Sequence, residues 1–259
     1  MTGVELSYSV EGPLGSVAPE GTVVYLASLG RPVRDLDLLA DTAKSLGWTA
    51  VKVELPGVPP SPLPPPGSDL HSIAAAVAGA IEAAAGRDTT ALVVGHAFGN
   101  RVARCVAADR PDLVSGLVLL GCGGRFPGDA EARAALRRCF DLTASPEEHL
   151  HAVATAFFAP GNDPAVWSDG WHPEAADAQA AAVAATPTED WWLPPDPIRV
   201  LALVGAEDRI APPANATALV EALGDRGRLV VLSGAGHALI PEQGPSVAAE
   251  FAEFLANHR

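Results

Sequence analysis

The chain has 259 residues, of which 48% are hydrophobic and 19% charged. That is enough apolar material for one large core and too little charge for a disordered chain. Seventeen Lys and Arg stand against 31 Asp and Glu, a formal net charge of −14, which excludes nucleic acid and anionic membrane surfaces as expected partners because both would be repelled.

The first residues, MTGVELSYSV, alternate polar and apolar side chains and lack the basic start and apolar run of a signal peptide. VELSYSV (4–10) and TVVYLAS (22–28) predict strands, and PVRDLDLLADTAKSLG (32–47) a helix stopped by Gly47. TAVKVEL (49–55) is a further strand. The proline run at 56–67 cannot form a helix or an inner strand. Residues 68–86 predict a helix capped by Ser68 or Asp69 and ended by Gly86. TALVVG (90–95) lacks alternation, which marks a strand buried on both faces. A helix over 98–109 and a second buried strand, LVSGLVLLG (113–121), follow.

After Gly124 the rhythm breaks. Residues 125–195 carry amphipathic helices such as DAEARAALRRCF and PEEHLHAVATAFF but no good strand. IRVLALVG (198–205), PPANATALVEALG (212–224), RLVVLSG (228–234) and PSVAAEFAEFLANH (245–258) then resume strand, helix, strand, helix. This pattern predicts an α/β fold, a mainly parallel sheet with helices on both faces. Its core is expected over 1–124 and 196–259, with 125–195 inserted as a helical lid after a strand end, where ligand sites in such sheets belong. The lid holds Phe126, Phe140, Phe157, Phe158, Trp167, Trp171, Trp191 and Trp192. These rings either form a small core of the lid or line an apolar substrate pocket, with Phe157, Trp167, Trp171 and Trp191 the candidates for lining.

Cys105, Cys122 and Cys139 show no disulfide or zinc spacing. The alanine-rich stretch around Glu82 is too short and too interrupted to span a membrane. A cytoplasmic protein is the expectation. His71, His149, His151, His172 and His258 are expected at the surface, and His96 beneath the turn described next.

Residues 93–103, VVGHAFGNRVA, run from a strand through a tight turn into a helix. Gly95-His96-Ala97-Phe98-Gly99 has the spacing of G-x-S-x-G with alanine where the serine stands. A strand is followed by AEDRIAPP, which places Asp208 just past its end, and the next by AGHALIPEQ, which places His237 likewise. With this order of elbow, acid and histidine, the chain resembles the α/β-hydrolase fold superfamily over essentially its whole length. GHAFGNRVA also resembles a subgroup of that superfamily with alanine at the nucleophile position. The resemblance implies His237 as catalytic base, Asp208 as the acid that orients it, and the backbone N–H of Phe98 as one oxyanion donor. The second donor falls on Leu29 in Ala27-Ser28-Leu29-Gly30, where relatives often carry His-Gly. It implies a small-molecule substrate and no cofactor or metal. Glu207 is a fallback for the acid, and Ser28 and Cys122 are candidates for substrate contact or a displaced nucleophile.

Without an Oγ at position 97 no acyl-enzyme can form there. Three readings remain open. In one, His237 and Asp208 run acid–base chemistry such as cyclisation, elimination, isomerisation or water addition on a small, largely apolar carbonyl compound. In another, Ala97 replaces the serine of an ordinary esterase, thioesterase or C–C hydrolase. In the last, the protein binds without catalysing. A dinucleotide fold is disfavoured, because its fingerprint is G-x-G-x-x-G with a later carboxylate, whereas these glycines are spaced G-x-x-x-G and the following strand ends in Leu120-Gly121.

Overall fold

The computed structural model describes residues 4–13, 19–87 and 89–258. Its strands are β1 (Tyr8–Glu11), β2 (Thr22–Leu26), β3 (Thr49–Val53), β4 (Ala91–His96), β5 (Val114–Leu120), β6 (Arg199–Gly205) and β7 (Gly227–Leu232). They form one sheet in the order β1-β3-β2-β4-β5-β6-β7, with β1 antiparallel to β3 and every other pair parallel. The central strands β2 and β4 are buried at every residue, which is why they read as unbroken apolar runs rather than alternating ones. The first predicted strand is shorter than expected, because residues before Tyr8 run past Val53, the end of its partner.

Helices α1 (Asp37–Ser45) and α8 (Leu239–Ala256) cover one face, burying Leu39, Phe251 and Leu255 against β-strand residues such as Leu92 and Leu203. Helices α2 (Leu70–Ala85), α3 (Phe98–Asp109) and α7 (Ala214–Leu223) cover the other, through Ile73, Val77, Val102 and Leu219. Asp69 caps α2 by accepting from the Ser72 N–H. Two helix starts differ from expectation. The segment after Pro32 begins as a 3-10 turn (Val33–Leu36) before α1. Helix α8 starts at Leu239 and kinks at Gln243 (φ −137°, ψ 36°), with Pro245 opening the straight part. Proline lacks an N–H and suits a first helical turn, so the sequence points to Pro245 although helix already precedes it.

Between β5 and β6 lie α4 (Ala130–Arg138), α5 (Pro146–Phe157), a 3-10 turn (Pro164–Trp167) and α6 (Pro173–Ala185). Asp129 caps α4, and Ser145 with Glu148 forms a reciprocal capping box on α5. These helices share a core of their own, where Ala135, Ala152, Val153 and Phe157 meet the ring of Trp167. Phe157 and Trp167 pack edge to face at 5.2 Å, as do Phe140 and Trp171. Arg31, paired with Asp35 at 2.8 Å, lies 4.7 Å and 4.4 Å from the Trp167 and Trp171 rings and fastens this insertion to the chain after β2. No helix among the described residues is long and apolar enough to cross a membrane.

Candidate active site

Strand β4 runs directly into α3 through Ala97, whose φ of 50° and ψ of −104° make it the one non-glycine residue with positive φ among those described. Such a conformation costs an L-residue about 1–3 kcal/mol and persists only where the surroundings enforce it. They do so here. The Ala97 N–H donates to the Leu120 carbonyl at 2.9 Å, and the buried Asn100 amide donates to the carbonyls of Leu120 and Gly121, both at 3.0 Å. A Cβ on Gly95 would strike the backbone of Asn100, and one on Gly99 the Leu26 carbonyl, so both flanking positions require glycine.

His237 follows β7 and Asp208 follows β6, and the sheet brings them together. His237 Nδ1 lies 2.7 Å from Asp208 Oδ2, with both side chains at most 2% exposed. The other carboxylate oxygen, Oδ1, accepts from the N–H groups of Ile210 (2.9 Å) and Ala211 (2.8 Å). The carboxylate therefore accepts a hydrogen bond from Nδ1–H, which leaves the lone pair on Nε2. The loop carrying His237 is held from both sides. Its N–H and that of Ala238 both donate to the Phe157 carbonyl at the end of α5, at 2.7 Å and 3.0 Å, and His96 Nε2 meets the His237 carbonyl at 2.9 Å. Burial and the neighbouring His237 push His96 down to about 3, so it stays neutral and donates. Glu207 instead accepts from the N–H groups of Gly234 and Ala235 and takes no part in the dyad.

The loop after β2 turns at Ser28–Arg31, where the Arg31 N–H meets the Ser28 carbonyl at 3.1 Å and Gly30 adopts φ 57°. Buried Gln179 on α6 accepts from the Gly30 N–H and donates to the Pro56 carbonyl, both at 2.9 Å. Gln179→Ala strands that donor and that acceptor, with an expected cost of about 2 kcal/mol in a urea unfolding midpoint series. Among the described residues, the N–H groups of Leu29 and Phe98 donate to no protein acceptor. Both residues line a cavity of about 180 Å³ together with Ser28, Ala97, Gly121 and His237. Its size is a little above the ~150 Å³ of an apolar cavity that takes up benzene. The arrangement brings a His–Asp pair, two backbone N–H groups without a protein acceptor and the methyl group of the turn to one cavity.

Several residues expected at the cavity lie elsewhere. Phe157 lines it, but Trp167, Trp171 and Trp191 do not. Trp167 and Trp171 both contact Arg31 within the core of the insertion, and Trp191 packs on Arg104 at 4.6 Å within the core between the sheet and α3, so these large rings are used in packing away from the cavity. Cys122 is fully buried and does not line the cavity, and burial pushes its thiol up, which disfavours the thiolate. The remaining walls are aliphatic, from Leu136, Ala180, Val183 and Ile210. Arg101 also lines the cavity and was not foreseen, although its position four residues after Ala97 on a helix carries that information. Of the histidines expected at the surface, His258 is half-buried and stacks on Phe254, and His149 packs edge-on against Trp171. His71, Cys105 and Asp109 gather on α2 and α3 within 4.8 Å of one another, but His71 Nδ1 already pairs with Asp109 at 2.9 Å and the Cys105 thiol is pushed up by burial.

Residues 23–253 match the model of the alpha/beta hydrolase family. The chain belongs to that family. No curated protein matches the sequence of this α/β hydrolase. Solved structures match it along essentially their whole length. BpoC of Mycobacterium tuberculosis H37Rv, provisionally named a non-heme bromoperoxidase, is 21% identical with a TM-score of 0.81, covering 100% of this chain and 98% of that one. A thermophilic esterase from Thermogutta terrifontis is 21% identical with a TM-score of 0.77, covering 98% and 94%. The meta-cleavage product hydrolase CumD of Pseudomonas fluorescens IP01 is 20% identical with a TM-score of 0.75, covering 98% and 96%. At these identities the likeness establishes the fold.

Proposed function

We propose that the protein is an enzyme that runs general acid–base chemistry on a small, largely apolar carbonyl compound without a covalent intermediate at position 97. His237 Nε2 takes and returns the proton, Asp208 holds the ring in the required tautomer, and the N–H groups of Phe98 and Leu29 stabilise the oxyanion or enolate that results. The helices over 125–195 act as the lid that excludes water from this step. One observation carries the reading. A complete His–Asp pair and two free N–H donors surround a cavity in which the elbow residue is a methyl group. Loss of function alone would not have preserved such a pair.

The test is proton exchange. In D₂O, small ketones and keto acids incubated with the protein lose their α-proton NMR signals if the base and the donors work together. His237→Gln should slow that exchange by about 10²–10⁴, the usual range for a positioned general base. Equal exchange by wild type and His237→Gln would refute the assignment. A second reading, a serine hydrolase whose nucleophile is replaced by Ala97, draws support from the strained turn, which a residue without a functional group has no use for in itself.

A further inference from the structure

The cavity wall carries one permanent charge, on Arg101, and no carboxylate. Arg101 is half-buried on the fourth residue of α3, four positions after Ala97, which is about 6 Å along a helix axis. Side chains on a helix lean toward its N-terminus, so the guanidinium and the Ala97 methyl share one face and one cavity. Its Nη2 would lie 3.2 Å from a Cβ placed on Gly123, so the group passes close over that backbone.

Among the described residues the Arg101 guanidinium makes no ion pair and no hydrogen bond, and the Trp191 ring lies 5.6 Å from its Cζ. Arg31 shows how this chain treats a guanidinium it buries for structure, since it gives that group a two-point contact to Asp35. A second cation stands behind Arg101. Arg104 is fully buried and bonded to Asn100 Oδ1 at 2.9 Å and the Gly123 carbonyl at 2.7 Å, again without a carboxylate. Burial and the like charge of Arg104 hold Arg101 down to about 10, which still leaves it protonated at neutral pH. The N-terminus of α3 adds its own positive potential to the same cavity. Leaving buried cations unpaired is costly, and a protein with a net charge of −14 does not lack acids to pair them.

We infer that Arg101 is the anchor for a carboxylate, so that the substrate is a small monocarboxylic acid carrying its reactive carbonyl near Leu29 and Phe98. A single guanidinium in a mostly aliphatic cavity of about 180 Å³ suits a monoanion with a short apolar body. A phosphate dianion would call for more donors than this wall presents. The inference rests on the reading of this cavity as the substrate site, but it concerns binding and not proton transfer.

Butyrate and benzoate, with butyramide and benzamide as neutral counterparts, serve as probes, and Trp fluorescence together with the Arg101 Nε–H NMR signal reports occupancy. The acids should bind at millimolar concentration and at least about tenfold more tightly than the amides. Arg101→Gln should abolish that preference, and Arg101→Lys should restore part of it. His237→Gln should keep it, which separates a failure of the anchor from a failure of the base. Equal binding of acid and amide by the wild type overturns the inference without recourse to any variant. So does a preference that survives Arg101→Gln.

Discussion

Asp208→Asn lowers turnover by about 10⁴ while leaving the fold in place, the size seen when a dyad histidine is held in the wrong tautomer. The magnitude follows from which oxygen is committed. Oδ1 of Asp208 receives two backbone N–H groups, from Ile210 and Ala211, and these accept no other orientation of an asparagine than one with its carbonyl oxygen in that place. The amide NH₂ then faces His237 Nδ1 across the 2.7 Å now spanned by the carboxylate contact. It donates to Nδ1, drives the proton onto Nε2, and removes the lone pair that faces the cavity. Because the substituted side chain has the same shape and keeps two of its three hydrogen bonds, thermal unfolding should move little. The rate of α-proton exchange at fixed pH is the measurement. A variant that exchanges as fast as wild type would show that Asp208 is a structural acid only.

Ala97→Ser should confer acyl-enzyme chemistry on activated esters. The added Oγ would stand on a turn already held at φ 50°, in the cavity that His237, Leu29 and Phe98 also line. Loss of a triad nucleophile costs about 10⁶ in turnover elsewhere, so its restoration on a prepared frame should raise p-nitrophenyl butyrate hydrolysis by at least about 10³. Intact mass spectrometry after a short incubation should show the butyryl adduct in Ala97→Ser and none in wild type. No adduct and no rate increase would mean that the donors or the base are out of line with residue 97, which would count against the oxyanion assignment as well.

Much of this was legible in the sequence for a definable reason. Strands buried on both faces, such as β4 and β5, are marked by length and β-branching alone, and the loops that follow β6 and β7 locate Asp208 and His237 without any knowledge of packing. What the sequence concealed depends on which side of a helix faces inward. Aromatic residues in the insertion read as cavity walls, yet most of them are needed for its own core, and the walls are Leu136, Ala180 and Val183. A charged residue on α3 reads as solvated surface, so Arg101 escaped notice. The contacts of Gln179 with Gly30, 149 positions away, and of the Phe157 carbonyl with His237 join distant segments and leave no local trace.

That last pair of contacts has a consequence for when the protein can act. The loop bearing the base hangs from the end of α5, and the loop bearing Leu29 hangs from α6. A movement that parted the inserted helices from the sheet would break both contacts at once. With the helices apart, His237 would keep its Asp208 and His96 contacts, while its loop would lose the hold of α5 and the Leu29 loop that of α6, so the full arrangement belongs to the closed form.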